Sequence, residues 1–328
     1  AIDRDHSSLA PQAGRRNFTS IGDIHTEITC SRRVSSLTSV DGNISLTGQG
    51  GNATGTGNLG VYVSNGSEIS STGLGSEAAV ITINGTAGFG SAYNTGINME
   101  NSSLTSVDGA ISLTGQGGSG SNIANFGVNT FNSVISSTGV GSNAATIMID
   151  GTAGSSSGFA VGVKFDQSTN IVTSVDGDIT ITGRGGSASG GSNFGVNLSD
   201  AEISSTGTGS DAANITVHGT GGTGGANNYG VLLTGVSQEA EVSSIAGDIN
   251  LISDDDVVLA DSMSVNSQSG DITILADAAV GNHYAIISIA NGVTVDAGSG
   301  SIDLDAEGYI FLTGLETSGT VTVDTVYG

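Results

Sequence analysis

The 328-residue chain sets 31 acidic side chains against 7 basic ones, a formal charge of −24, and includes 54 glycines, one proline and no tryptophan. That charge repels duplex nucleic acid and anionic lipid, no run reaches the roughly 18 apolar residues of a membrane span, and the single Cys30 cannot build a disulfide framework. Aromatic residues make up 4% of the chain and hydrophobic residues 36%, which excludes a ring-rich globular core yet argues against disorder.

Residues 1–35 hold five of the seven bases, Arg4, Arg15, Arg16, Arg32 and Arg33, and follow no repeat, so they read as an irregular N-terminal segment. Beyond them only Lys164 and Arg184 are basic. The surplus of acids keeps a long apolar-cored structure soluble and leaves cations as the electrostatically natural small partners. The chain opens on Ala1 and stops within strand-like sequence at its other end, as expected of a piece of a longer protein.

From residue 36 to 242 the chain counts in rungs. Gly60, Gly96, Gly127, Gly162, Gly195 and Gly230 recur at intervals of 31 to 36 residues, each within the phrase Asn-x-Gly-Val/Ile, with Ala160 replacing the asparagine once. An alternating run follows each glycine, as in Val61-Tyr62-Val63. A second follows, as in Ile69-Ser70-Ser71-Thr72, and then a third, as in Val80-Ile81-Thr82-Ile83, closed by a glycine such as Gly85. Three short period-two strands per rung predict an all-β coil with three faces, a solenoid whose rungs bury their apolar sides against one another.

The rungs alternate in kind. A tight Val-Asp-Gly joins the second and third strands at 40–42, 107–109 and 175–177, whereas longer corners occupy 72–79, 138–145 and 206–213, giving a two-rung unit. Asp-Gly between strands is also a hairpin signal, but a unit of about 33 residues with almost no aromatic residues does not suit a string of antiparallel sandwiches. Five residues after the glycines come Asn65, Asn101, Asn132, Gln167 and Asp200. In parallel rungs about 4.8 Å apart these would stack as a ladder of side-chain amides. Phe126, Phe194 and Tyr229 occupy a second shared position and are expected to stack as well.

From 243 to 328 the rhythm shortens to the phrases Gly247-Asp248-Ile249-Asn250-Leu251, Gly270-Asp271-Ile272-Thr273-Ile274, Gly300-Ser301-Ile302-Asp303-Leu304 and Gly319-Thr320-Val321-Thr322-Val323. This stretch resembles the haemagglutinin-type repeats of filamentous haemagglutinin and related exoproteins of two-partner secretion. Residues 36–233 are similar, more loosely, to large repetitive bacterial surface adhesins. The resemblance implies a right-handed parallel β-helix, passed through the outer membrane by a secretion partner and displayed at the cell surface, or released, as a stiff rod. Its implied partner is a glycan or protein receptor on a host or environmental surface. Residues 1–35 do not match the secretion-directing domain of such proteins.

Enzymatic chemistry finds little to work with. A lyase acting on acidic polysaccharide needs a base and cations to hold its substrate, and beyond residue 33 only Lys164 and Arg184 could serve. His6, His25, His218 and His283 lack metal-ligand spacing. No catalytic residue and no cofactor is expected. The acidic group Asp254, Asp255, Asp256 and Asp261 is the one candidate Ca²⁺ site, against the plainer reading of a solvated loop. The expected function is a non-enzymatic adhesion rod. The alternatives are a β-helical carbohydrate-active enzyme and, on the alternating threonines that Ser112 and Met148 interrupt, an ice-binding face. The glycine-rich closing loops 85–94, 115–125, 151–160, 183–193 and 219–228 vary most between rungs and are the expected contact surface.

Overall fold

The computed structural model describes residues 17–20, 24–28, 36–166, 169–277 and 284–325. Every strand pairing among them is parallel, so the antiparallel alternative fails and the chain is a parallel β-helix. One rung runs Val61–Ser64, Glu68–Ser71 and Ile81–Thr86, and the next runs Ile97–Glu100, Ser103–Ser106 and Ile111–Gln116. Each lies in register on the one before: Val61 on Ile97, Ile69 on Leu104, Ile81 on Ile111. Where the first two faces run on without a break, they form single long strands, Val231–Ser244 and Val257–Ser267. The third face stacks eleven strands among the described residues, a height of about 50 Å at about 4.8 Å per rung.

Period-two alternation supplies the core. On the third face Ile44, Ile81, Ile111, Ile147, Ile179, Ile215, Ile249, Ile272 and Ile302 form one fully buried column. Val61, Ile97, Val128, Val163, Val196, Val231 and Val257 form a matching column on the first face. Each such side chain contributes about 1.5–3 kcal/mol on burial, so order here comes from many equal aliphatic layers and few rings.

The solenoid also begins earlier than expected. Asn17–Ser20 and Ile24–Ile28, inside the segment read as irregular, are strands that pair in parallel with Ser36–Ser39 and Ile44–Gln49. The alternation of Ile24, Thr26 and Ile28 with His25 and Glu27 is the reason: it places Ile24 on Ile44 without the glycine phrase that marks later rungs. Cys30 lies outside the described residues.

Glycines close the corner between the third and first faces. A Cβ on Gly115 would come within 2.2 Å of the carbonyl oxygen of Gly127, and one on Gly127 within 2.4 Å of the amide of Thr152. The phrase glycines and the strand-closing glycines are thus two columns pressed backbone to backbone. At Gly230 the opposing position becomes Ser253, then Ala276 and Ala306, and the repeat phrase stops there.

The two-rung unit also has a cause. Asp108, in the tight Val-Asp-Gly turn, accepts the amide of Gly75 at 2.6 Å, capping the long corner of the preceding rung, and Asp176 does the same for Gly141 at 2.6 Å. The first two long corners are thus each capped by an aspartate turn of the next rung, whereas the third, 206–213, is followed by Ala246 in that position. In the shorter rungs, Asp248 accepts the amide of Asp271, and Asp271 that of Ser301, at 2.8 and 2.7 Å, which explains the recurring Gly-Asp-Ile phrase.

Candidate functional site

The closing loops do not hang free. They stack into a side lobe in which Gly90 pairs with Gly120, Ser156 with Ala188 and Ser187 with Thr223, extending the parallel ladder beyond the strands. A left-handed residue recurs at one place in each loop: Gly57, Tyr93, Ala124, Phe159, Ser192 and Asn227 have φ between 55° and 74°. Directly after it comes the asparagine of the repeat phrase, and these asparagines form the buried amide ladder of the molecule. Asn58 Nδ2 donates to Asn94 Oδ1 at 2.9 Å, Asn94 Nδ2 to Asn125 Oδ1 at 3.0 Å, and Asn193 Nδ2 to Asn228 Oδ1 at 3.0 Å. The same oxygens accept backbone amides of the adjacent loop, so each side chain pins two loops together. Ala160 interrupts the column, but its amide still donates to Asn193.

The predicted ladder at the other corner is corrected accordingly. Asn65, Asn101, Asn132 and Asp200 do form a column, but as left-handed residues with φ of 61°, 49°, 48° and 53° that turn the chain from first to second face. Within it Asn132 Nδ2 reaches Asn101 Oδ1 at 3.4 Å, while Asn65 turns to its neighbour Ser64 and Asp200 caps the amide of Ser237. Asparagine and aspartate recur there because they tolerate positive φ. Gln167 lies outside the described residues. A shallow groove of Gly66, Glu68, Asn101, Asn132 and Thr169 runs along this corner.

The acidic group is also redistributed. Asp254-Asp255-Asp256 replaces an entire closing loop and seals the end of the lobe. Asp254 Oδ1 meets His218 Nε2 at 3.0 Å and its Oδ2 accepts the hydroxyl of Thr220 at 2.5 Å. Asp255 accepts the amide of Gly221 at 2.8 Å, whereas Asp256 points the other way to the amide of Ile286 at 2.9 Å. Asp261 belongs to the left-handed corner, φ 52°, beyond the intervening first-face strand, and accepts from Thr234. The four carboxylates therefore do not converge, and no three metal-ligating side chains do so among the described residues. Burial pushes the Asp254 carboxyl up, but the hydrogen bonds from Thr220 and His218 and the charges of His218 and Arg184 outweigh it and hold the group below its ordinary range.

The aromatic column is a second, smaller core. Phe126, Phe159 and Phe194 meet edge to face at 5.7 and 6.3 Å, and Phe194 stacks on Tyr229 at 5.8 Å. Phe159 supplies the missing ring from the adjacent loop position, where Val161 stands in the column. Burial, followed by the Asp256 carboxylate, raises the hydroxyl of Tyr229 above the usual phenol range.

Exposed apolar side chains are spread over the corners, as Leu74, Val140 and Val236, and over the last rungs, as Tyr309 and Phe311. The lobe presents Phe89, Tyr93 and Ile123, 55%, 52% and 42% exposed, among glycine, serine and asparagine. The outer threonines of the third face, Thr82, Thr180 and Thr216, lie in one rank with Ser112 and the exposed Met148. No helix of the described residues is long and apolar enough to cross a membrane. The architecture defines the chain as a parallel β-solenoid with a stacked loop lobe. No family model, curated protein or solved structure matches it.

Proposed function

We propose that the chain is a non-enzymatic adhesion region of a secreted or surface-displayed bacterial protein, a stiff rod that attaches a cell to a surface. The observation that carries this reading is the employment of the recurring residues. Glycines pack the corners, asparagines pin the loops, aspartates cap turns and aliphatic side chains fill the layers, leaving side chains outside the strands to meet a partner. The lobe is the contact surface: Phe89 and Tyr93 offer ring faces beside neutral hydroxyls and amides. Rings flanked by neutral donors and acceptors suit a neutral glycan, and the charge of −24 disfavours an anionic one. Export by an outer-membrane partner belongs to the same reading, on the likeness of residues 243–325 to haemagglutinin-type repeats. The test is to pass the purified chain over an array of neutral and acidic oligosaccharides while following reducing ends and unsaturated products. Saturable binding to neutral members without product release is expected. Release of products would overturn the adhesion reading in favour of a carbohydrate-active enzyme.

A further inference from the structure

Lys164 is out of keeping with its surroundings. It points outward from the first face between the inward Val163 and Phe165, yet is only 9% exposed, because the aromatic core lies over it. Its Nζ sits 5.6 Å from the centre of the Phe126 ring and 5.5 Å from that of Phe159, in contact with the Asp166 carboxylate. Register places Lys164 between Asn129 and Asn197, the equivalent outward residues of the adjoining rungs. The column continues to Asn98. There Asn129 Nδ2 donates to Asn98 Oδ1 at 2.7 Å and Asn98 Nδ2 to Glu100 at 2.8 Å. Asn197, 6% exposed, has its carbonyl oxygen buried without a hydrogen-bond partner. An amine, a carboxylate and an unengaged amide carbonyl thus lie on two adjoining strands, the amine and the amide buried and the carboxylate 36% exposed.

We infer that Lys164 and Asn197 form an intramolecular isopeptide bond that locks adjacent rungs together. The chemistry balances. Lys164 first gives one proton up to solvent; as the neutral amine's lone pair attacks Cγ of Asn197, Asp166 takes a second proton from Nζ. The Cγ–Nδ2 bond then breaks, Asp166 returns the proton to the departing nitrogen, and ammonia leaves. The product is a secondary amide, with no oxidant or cofactor required. Asn197 is 6% exposed and Lys164 9%, which limits the water that would otherwise compete for Cγ. The bond joins side chains on strands about 4.8 Å apart, a span that lysine and asparagine cover together.

The test is the intact mass of the full purified chain. A mass lower than the sequence mass by one ammonia is expected, with a branched peptide joining Lys164 to Asn197 after proteolysis. Lys164→Met and Asn197→Ala should restore the full mass, Asn129→Ala should keep the deficit, and Asp166→Asn should slow its appearance. A wild-type chain of full mass overturns the inference whether or not any variant folds. A deficit that survives in Lys164→Met, or a branched peptide at Asn129, overturns it equally.

Discussion

Replacing Asn125 by alanine probes the loop ladder directly. Asn125 is fully buried; its Oδ1 accepts both the backbone amide and the side-chain Nδ2 of Asn94, each at 3.0 Å, and its Nδ2 donates to Ser155 O at 2.6 Å. Ser155 is exposed and its carbonyl can turn to water, whereas Asn94 is 0% exposed. Asn94 Nδ2 keeps only a long contact to Ser119 O at 3.4 Å, and the Asn94 backbone amide loses its acceptor. An unsatisfied buried donor costs about 1–3 kcal/mol, so Asn125→Ala should weaken this part of the lobe by that amount, at least a several-fold rise in local opening. Whole-chain melting is the wrong assay, because a solenoid does not unfold as one unit. Amide hydrogen exchange of peptides covering 91–96, with 299–306 as an internal reference, isolates the effect. Asn101→Gly is the control: it deletes an exposed side chain from the other column and relieves a φ of 49°, so it should be neutral or slightly stabilising. Equal protection in Asn125→Ala and wild type, or a larger loss in Asn101→Gly, would refute the assignment of the ladder.

Three other outcomes follow from the same geometry. Gly151→Ala puts a methyl 2.2 Å from the carbonyl oxygen of Gly162 and 2.7 Å from a Val163 methyl, so the corner must open; limited proteolysis should cut the 151–162 loop in this variant and spare it in wild type. Phe194→Ala empties a site between Phe159 and Tyr229 and should cost about 3–5 kcal/mol locally, seen as faster exchange across 190–198. The Asp254 carboxyl titrates below its unfolded-state value of about 3.9, so its stabilisation is present above that pH and is lost as pH falls through the lower folded value. Protection across 215–222, taken relative to the intrinsic exchange rate at each pH, should therefore fall from about pH 4 downward in wild type, and Asp254→Asn should remove that acid-dependent step.

The coil itself was legible because its causes are local and repeated. Alternation fixes which side chains face inward, and a glycine at one point per rung marks a corner where no Cβ fits. Two asparagine columns recur with almost the same period, and the sequence could not say which was interior. Asn94 and Asn65 look alike in the chain, but one is fully buried and the other is held at a left-handed corner. The acidic triplet misled for a related reason. Proximity along the chain suggested convergence, whereas a turn that replaces a ten-residue loop sends neighbouring carboxylates to opposite rungs. The pairing of His218 with Asp254 spans 36 residues, one rung, and could have been found by writing the repeats in register. Phe159 could not, since it leaves its own loop position to fill the gap above Val161.

The most direct test of the proposed function is adhesion of chain-coated beads to immobilised neutral glycan, comparing wild type with the triple variant Phe89→Ser, Tyr93→Ser, Ile123→Ser. These side chains are exposed and outside the ladder, so the variant should keep the β-sheet circular dichroism of the wild type. Firm retention of wild-type beads and loss of retention in the variant are expected. Equal retention by both, with the fold intact, would contradict the assignment of the lobe as the adhesive surface.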